Sequence, residues 1–273
     1  MVTFFLNARR GGLHGLLMRL RPAPLASLVK RALRIGRVVV ETPQGKFWVD
    51  PVSILGLQLS FHEQYEPGMQ KTLHAFLSRG ATFIDLGANE GYFTVIAAKL
   101  CGACGRVVAI EPQERLLPVI TENLRLNGTE WARVLNVAVT DAQGMVTIHL
   151  AADTNTGGSG LHRSTKYPLP TQQVAARTLT QILDEEQMLH VDLMKIDIEG
   201  FEYEALLGSV ELFRQHRVRA LALELHPTIL ADRGKDVADI TKMLADCNYK
   251  LTQDFGNTVW IACPDRKQAR KSV

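Results

Sequence analysis

The chain has 273 residues, 46% of them hydrophobic, and a formal net charge of +3. This length fits one large domain or one domain with an extension, and the hydrophobic content suffices for a full core. The mild net charge does not indicate a nucleic-acid-binding protein, and no stretch approaches the roughly 18 uncharged apolar residues that cross a bilayer.

The N-terminus and the cysteines indicate the compartment. The first basic residues follow the apolar start of the chain, which is the reverse of the order in a signal peptide. Four cysteines in a chain of this length do not indicate a disulfide framework. Cys101 and Cys104 form a C-x-x-C pair, but zinc would need Cys247 and Cys263 to converge with them, so we interpret the pair as incidental. We expect a cytoplasmic protein.

Residues 1–80 are predicted to form a basic N-terminal cap, separate from a sheet domain of residues 81–273. Residues 1–40 contain eight Lys or Arg and no Asp or Glu. The segment 38–50 has the pattern of a β-hairpin, and 67–80 that of a helix. The Leu- and Arg-rich start is expected to bury an apolar helix face in the same protein or against a second copy of the chain. Peripheral contact with an anionic membrane is the alternative.

From about residue 82 onward, strand-like and helix-like segments alternate along the chain. The predicted strands are 81–86, 106–112, 133–139, 144–152, 191–198 and 218–225. The predicted helices are 92–100, 113–128, 178–186, 201–209 and 234–247. Such alternation predicts a doubly wound, mostly parallel α/β sheet with helices on both faces. A closing hairpin, formed by 249–253 and 257–263, is expected to add an antiparallel strand near one edge.

The stretch FIDLGANEGYF, residues 83–93, combines an acid at a strand end with a glycine-containing turn and the start of a helix. Ligands of open parallel sheets bind outside the carboxyl ends of the strands, which is where Asp85 is expected. Gly87 and Gly91 allow the backbone to approach a ligand closely, and the helix points its amide groups at the same crevice. A plain strand-to-helix turn is the alternative.

Glu111 is the second acid at a predicted strand end, in the sequence AIEP. An ionised carboxylate at this place can accept hydrogen bonds from both hydroxyls of a ribose. A solvated acid at a strand end is the alternative. Because the two acids end consecutive strands, we favour a nucleoside cofactor.

The glycine pattern argues against an NAD-dependent oxidoreductase. A dinucleotide site needs G-x-G-x-x-G, so that a helix N-terminus can contact the pyrophosphate. The pattern GANEG lacks the middle glycine, and Glu90 places a negative charge where a phosphate would lie. S-adenosylmethionine fits this loop better, because it has no phosphate and its amino group and sulfonium are attracted to acids.

Two later strands also end in charged residues. Asp197 follows a buried strand and Glu199 lies at the next helix entry, while Lys195, within the strand, is expected to pair with an acid. Burying an unpaired carboxylate is costly, so two acids at one strand end indicate function. Glu224 and His226 end the following strand, and the usual pKa of a histidine, near ~6.5, suits a general base. A histidine that only caps the strand end is the alternative.

These motifs resemble the FkbM family of S-adenosylmethionine-dependent methyltransferases. The resemblance covers about residues 60–225 and depends on YEP, FIDLGANEGYFTVIAAK, AIEPQ, NVAVTD, LMKIDIEGFEYEALLG and ELHP. The order DLGANEGY and then KIDIEGFE is quite specific. The resemblance implies a class I methyltransferase sheet, which is Rossmann-like, and O-methylation of a hydroxyl on a sugar, a glycolipid or a secondary metabolite. Thr180 stands where the family commonly has Asp, which puts a role for an acid there in doubt.

The resemblance also implies roles for individual residues. Those expected to line the methionine part of the cofactor are Asp85, Gly87, Asn89 and Gly91. Glu111 would bind the ribose, and Ala138 and Val139, after the third strand, would flank the adenine. Asp197 would lie near the methionine amine or the acceptor.

Methyl transfer from a sulfonium is an in-line displacement, so alignment of the acceptor oxygen supplies much of the acceleration. We expect His226 to be the catalytic base, with Glu199 or Asp197 orienting it or the acceptor. A divalent metal held by Asp197, Glu224 and His226 is an alternative that we do not favour, because such clusters also act without metals. For the chain as a whole, the alternative is a non-catalytic binding or assembly protein that keeps the fold.

The acceptor, a small molecule or carbohydrate, is expected to bind between the N-terminal cap and residues 151–170. Loops longer than ~12–15 residues are usually functional or disordered. The polar side chains that this loop offers are His162, Arg163, Lys166 and Tyr167. A mobile surface loop is the alternative.

Overall fold

The structure of the chain is a computed structural model. It describes residues 29–30, 32–62, 64–151, 153–160, 169–252 and 257–263. The loop side chains predicted to bind the acceptor (His162, Arg163, Lys166 and Tyr167) lie outside the described residues, as does the start of the basic cap. No helix in the described part of the chain is long and apolar enough to span a bilayer.

The strands and helices alternate along most of the chain, as the sequence predicts. The strands are β1 (Val38–Thr42), β2 (Gly45–Val49), β3 (Thr82–Leu86), β4 (Arg106–Ile110), β5 (Arg133–Leu135), β6 (Ala138–Val139), β7 (Gly144–His149), β8 (Thr171–Arg177), β9 (Leu193–Ile196), β10 (Ala220–Leu223), β11 (Tyr249–Thr252) and β12 (Val259–Ala262). The α-helices are α1 (Ile54–His62), α2 (Pro67–Phe76), α3 (Tyr92–Cys101), α4 (Leu117–Leu126), α5 (Leu179–Glu185), α6 (Glu202–Leu207), α7 (Val210–Arg214), α8 (Pro227–Asp232) and α9 (Val237–Asp246).

Seven strands form the main sheet, in the order β11-β12-β10-β9-β3-β4-β5. The pairings from β10 through β9, β3 and β4 to β5 are parallel, and β12 is antiparallel to both of its neighbours. This confirms the predicted mostly parallel sheet with an antiparallel terminal hairpin. The chain builds outward from β3 to β5 and then returns to β9 beside β3, and such a reversal opens a crevice at the carboxyl ends of the strands.

The two faces of the main sheet carry separate parts of the core. Successive residues of a strand point to opposite faces, so Phe83 packs with α3 while its neighbour Ile84 packs with α5 and α7. All residues of β9 and β10 are buried, because helices cover both faces. This double cover explains the apolar runs LMKI and ALAL, in which Lys195 alone is charged.

A second sheet, in the order β6-β8-β7, corrects the strand predicted over residues 133–139. The main-sheet strand ends at Leu135, because the Asn136 side chain donates hydrogen bonds to the carbonyl oxygens of Glu111 and Pro112 at 3.0 and 2.9 Å. Ala138 and Val139 then pair with β8 in parallel. The sequence did not predict β8, whose TQQVAAR buries only Val174 and Ala176.

The hairpin β1–β2 packs against the main sheet and its helices. Phe47 and Val49 are fully buried in the same hydrophobic cluster as Phe83. The Trp48 N–H donates to Asn123 Oδ1 on α4 at 2.6 Å. The domain boundary at residue 80 stays a prediction. The described part of residues 1–80 packs in the same hydrophobic core as the main sheet.

Candidate active site

The loop between β3 and α3 lies against the end of β9. Gly87 has a φ of +81°, and a Cβ there would lie 1.8 Å from the carbonyl oxygen of Asp197. Asn89, with a φ of +51°, also adopts the left-handed conformation, and so does Gly91, at +80°, just before α3. The sequence needs a glycine at position 87 because no side chain fits between the two strand ends.

Glu111 holds this loop from the end of β4. Its carboxylate accepts the Asn89 N–H at 2.8 Å and the Gln113 N–H at 2.9 Å, and Glu111 is 2% exposed. Burial raises the pKa of Glu111 to about 7, although the two N–H groups act against the shift. The carboxylate therefore takes up or releases a proton near neutral pH.

A cleft, which we call the first cleft, opens beside Glu111 and contains about 620 Å³ of space free of protein atoms, including part of the open solvent. Its lining combines strand ends, the second sheet and the described part of the predicted long loop. The lining residues are Leu86, Gly87, Asn89, Ile110, Glu111, Pro112, Gln113, Val137, Ala138, Val139, Ile148, Gly157, Ser159, Gly160, Asp197, Ile198, Glu199 and Phe201. Apolar walls with a few polar groups are typical of small-molecule sites.

The residues predicted to contact the cofactor divide into two groups. Gly87, Asn89, Glu111, Ala138, Val139 and Asp197 line the first cleft. Asp85 and Gly91 are absent from the described lining. Asp85 is 1% exposed and instead accepts the Thr94 hydroxyl at 2.6 Å.

Lys195 joins Asp85 to Asp197 below the strand ends. Its Nζ lies 3.2 Å from Asp197 Oδ2 and 3.9 Å from Asp85 Oδ1. Burial disfavours the charge of Lys195, but Asp197, Asp85 and Glu66 outweigh it and raise the Lys195 pKa. Burial also raises the pKa of Asp85, against the attraction of Lys195. The predicted pairing of Lys195 with an acid is confirmed.

Asp197 lies where three cavities meet. It lines the first cleft, a small cavity with Tyr65, Tyr92 and Lys195, and a larger cavity that we call the second cleft. The residues of the second cleft are Glu66, Pro67, Gly68, Met69, Lys195, Ile196, Asp197, Ala222, Leu223, Glu224, Leu225, Asn257 and Thr258. One carboxylate is therefore accessible from both sides of the end of β9.

His226 is held by acids on both ring nitrogens. Nδ1 lies 2.9 Å from Oε1 of Glu202, which is fully buried, and Nε2 lies 3.8 Å from Asp197 Oδ1 and 3.7 Å from Glu199 Oε2. The hydrogen bond to Glu202 raises the pKa of His226 to about 9. This replaces the ordinary histidine pKa assumed from the sequence, and His226 is mostly an imidazolium at neutral pH.

The described residues also permit a test of the metal alternative. Asp197, Glu199 and His226 offer ligand atoms within 4.8 Å of one another, whereas the sequence-based set contained Glu224 in place of Glu199. The imidazolium already supplies a positive charge between the two carboxylates. Burial raises the pKa of Glu199 to about 7, which lowers the negative charge of the group further. A divalent cation at these atoms would have to displace the proton of His226 Nε2 and compete with any proton on Glu199.

Glu90 has a role that the glycine pattern did not reveal. Glu90 lines the small cavity, but its side chain is only 1% exposed and pairs with Arg37 at 2.7 Å. Its carbonyl oxygen accepts the Asn123 side-chain amide at 2.8 Å. Glu90 thus anchors the loop to the N-terminal hairpin region.

Sequence reasoning also missed Glu66 and Glu202. Glu66 follows Tyr65 in the YEP motif, has a φ of +44° and lines both the small cavity and the second cleft. Glu202 accepts the Gly200 N–H at 3.0 Å in addition to His226. Glu202 lies four residues after Ile198 in a motif that contains several acids, and this was the sequence signal for its role.

The sequence matches the family described as the methyltransferase FkbM domain over residues 85–251. A stretch of 72 residues is 33% identical to the protein-L-isoaspartate O-methyltransferase of Caenorhabditis elegans, which is 26% of this chain and 32% of that protein. The methyltransferase FkbM of Methylobacillus flagellatus KT is similar over 74% of this chain and 49% of its own, with a TM-score of 0.46 and 20% identity. A SAM-dependent methyltransferase of Aquifex aeolicus is similar over 75% of this chain and 90% of its own, with a TM-score of 0.40 and 17% identity.

The family match extends from β3 to β11 and so includes most of the main sheet. This chain spans less than half of the length of the C. elegans and Methylobacillus proteins. The sheet has the predicted class I methyltransferase fold, with its antiparallel strand β12 inserted between β10 and β11. The chain belongs to the FkbM methyltransferase family.

Proposed function

We propose that the protein is an S-adenosylmethionine-dependent O-methyltransferase that acts on a hydroxyl of a sugar, a glycolipid or a secondary metabolite. The observation that carries this proposal is the position of Asp197, which lines the first cleft, the small cavity and the second cleft. A cofactor on one side and an acceptor on the other would meet at this carboxylate.

The first cleft fits the adenosine part of the cofactor. Its walls include the apolar side chains of Ile110, Val139 and Ile148, which suit an adenine ring. Glu111 provides acceptor oxygens for ribose hydroxyls at the end of β4. In the small cavity, Glu66 and Asp197 would attract the amine of the methionine part.

The bound cofactor supplies an electrophilic methyl group on a sulfonium, and the protein has to align the acceptor oxygen with it. Asp197 is the carboxylate that faces both sides, so we assign it the hydrogen bond from the acceptor hydroxyl. Lys195, 3.2 Å from Asp197 Oδ2, holds that carboxylate in place. The proton of the hydroxyl would pass to Asp197 while the oxygen–carbon bond forms and the methyl carbon–sulfur bond breaks, leaving a neutral thioether.

His226 was the base predicted from the sequence, and that role stays a prediction. The geometry favours a positioning role, because His226 is absent from the described linings of the three cavities and its pKa is raised to about 9. Its Nε2 faces Asp197 and Glu199 while Glu202 fixes the ring. His226 would then orient Asp197.

Calorimetry with S-adenosylmethionine and S-adenosylhomocysteine tests the cofactor, and labelled-methyl transfer to sugar, glycolipid and phenolic acceptors tests the reaction. We expect binding of both nucleosides and product with a hydroxyl-bearing acceptor. Binding without product from any acceptor would support a non-catalytic binding or assembly protein. Absence of binding to folded protein would reject the cofactor assignment.

A further inference from the structure

The second cleft has a charge that restricts its ligand. We propose that it binds an acceptor carrying a protonated amine near the reacting hydroxyl, such as an amino sugar or amino alcohol, and that Glu224 selects for that amine. This inference rests on the proposed function, because it assigns the acceptor to the second cleft. It concerns the charge of the acceptor, which the family membership leaves open.

Among the described residues that line the second cleft, carboxylates outnumber cations. Glu66, Asp197 and Glu224 line it together with one ammonium, that of Lys195. Lys195 is already shared between Asp197 and the buried Asp85, at 3.2 and 3.9 Å. A bound phosphate or carboxylate would therefore meet net repulsion, whereas an ammonium would meet net attraction.

Glu66 and Glu224 are the two acids of the second cleft that form no ion pair among the described residues, and Tyr65 hydrogen-bonds to Glu66. The backbone N–H of Glu224 donates to the Ile196 carbonyl oxygen at 2.9 Å, which fixes the residue at the end of β10 beside β9. Its side chain is exposed on the cleft wall. Partial burial, and then the charges of Asp197 and Glu66, raise the pKa of Glu224, and the weaker attraction of His226 and Lys195 opposes the rise.

One feature of the second cleft acts in the opposite direction. The N-terminus of α2, at Pro67 and Gly68, also lines the cleft, and a helix N-terminus carries roughly half a positive charge. This is smaller than the excess of the three carboxylates over Lys195, and Glu66 precedes this helix directly. The apolar side chains of Met69, Leu223 and Leu225 complete the wall and suit the carbon skeleton of the acceptor.

The test uses the full chain at pH 7 with the methyl glycosides of glucosamine, glucose and glucuronic acid. Labelled-methyl transfer is measured for each glycoside with and without added Mg²⁺. We expect kcat/KM to be highest for the glucosamine glycoside and lowest for the glucuronic acid glycoside. In Glu224→Gln, the ratio of kcat/KM for the glucosamine glycoside to that for the glucose glycoside should fall by roughly fivefold, which is the size expected for an exposed ion pair. The change should be in KM. In Glu224→Lys, the order of kcat/KM among the three glycosides should reverse.

The matched control is Glu130→Gln, an exposed acid outside all three cavities, which should keep the wild-type order. S-adenosylhomocysteine affinity, measured by calorimetry on each variant, should stay at the wild-type value. The proposal is overturned if the glucose or glucuronic acid glycoside is preferred, with or without Mg²⁺. It is also overturned if the glucosamine glycoside neither reacts nor binds while S-adenosylhomocysteine binds normally, and that result leaves the cofactor assignment standing. Loss of S-adenosylhomocysteine binding in wild-type protein is the failure of the proposed function instead.

Discussion

Arg37 Nη1 lies 2.7 Å from Glu90 Oε2 and joins the start of the N-terminal hairpin to the glycine loop of the first cleft. Arg37 also donates to the Trp48 carbonyl oxygen at 3.3 Å, and its guanidinium lies over the Trp48 ring. Burial raises the pKa of Glu90, and Arg37 opposes that shift. The loop is therefore held by an ion pair whose arginine does not line the first cleft.

Arg37→Met should weaken both the fold and the cofactor site. Removing one partner of a buried ion pair leaves the other charge uncompensated and costs about 3–5 kcal/mol, and protonation of Glu90 should reduce this loss. We expect this loss in urea unfolding, together with a severalfold rise in the S-adenosylhomocysteine Kd. The matched control is Lys46→Met, which breaks the exposed pair with Glu41 and should change neither quantity.

Glu90→Gln combined with Arg37→Met gives a further check on this pair. The double variant removes both charges, so it should be more stable than Arg37→Met alone. Equal stability of the single and double variants would show that the unpaired Glu90 carries no buried charge in Arg37→Met.

Gly87→Ala should be strongly destabilising, because an added Cβ meets the Asp197 carbonyl oxygen at 1.8 Å and the φ is +81°. Gly80 is the matched control, since its φ is +87° but no atom lies within 4 Å of an added Cβ. Gly80→Ala should cost about 1 kcal/mol for conformation alone, and Gly87→Ala about 3 kcal/mol or more. Urea unfolding curves of the two variants measure this difference. Similar losses of unfolding free energy would exclude a clash between the added Cβ at position 87 and the Asp197 carbonyl oxygen.

The elements that could be predicted from the sequence are those with long apolar patterns. The strands β9 and β10 are fully buried, so their apolar runs identify them. By contrast, β8 is half exposed, and α8 buries only Leu230, so neither has a strong pattern. The end of β5 depends on Asn136 side-chain hydrogen bonds to residues of the preceding strand end, which no local pattern contains.

The candidate site was likewise only partly predictable from the sequence. Position at a strand end predicted that Glu111 and Asp197 reach the first cleft. It could not predict that the Asp85 carboxylate accepts a hydrogen bond from Thr94. It also could not predict that Glu90 pairs with Arg37, 53 positions away. The pKa of His226 depends on the buried Glu202, so the ordinary value could not be carried over. Strand ends are thus visible in the sequence, whereas the side-chain pairings that set charge are not.

Cofactor binding should strengthen as the pH rises through 7. Burial raises the pKa of Glu111 to about 7, and ribose hydroxyls donate to its ionised form, so binding releases a proton. For one such group, affinity for S-adenosylhomocysteine should increase by up to about tenfold between pH 6 and pH 8. Calorimetry at several pH values measures this increase.

Glu111 should make the stability of the free protein fall as the pH rises, which is opposite to the trend in cofactor affinity. Its pKa is higher in the folded state than the ordinary ~4.3, so its contribution is present below pH ~4 and is lost as the pH rises through 7. Glu111→Gln should remove both trends and weaken binding, while the exposed Glu114→Gln on the same loop should keep both. A pH-independent affinity in the wild-type protein would contradict the assignment of Glu111 to the ribose.

Asp197 and His226 should differ in how their loss affects the reaction. Asp197→Asn removes the carboxylate that faces both clefts and should lower kcat by about 10²–10⁴-fold. His226→Asn keeps an amide near the position of Nδ1 for Glu202 but removes the contact of Nε2 with Asp197 and Glu199. His226→Gln is the matched variant, whose amide reaches toward those two acids. A positioning role predicts that His226→Gln retains more activity than His226→Asn.

The pH dependence of kcat separates this positioning role from a base. As a base with a pKa of about 9, His226 would make the rate rise between pH 8 and pH 10, and both variants would abolish the rise. As a positioning residue, it would leave the shape of the profile over that range the same in wild type and in His226→Gln. Full activity with excess EDTA is expected in either case, because a protonated His226 has no free nitrogen for a metal ion. Loss of activity in EDTA, restored by Mg²⁺, would instead assign the three side chains to a metal ion.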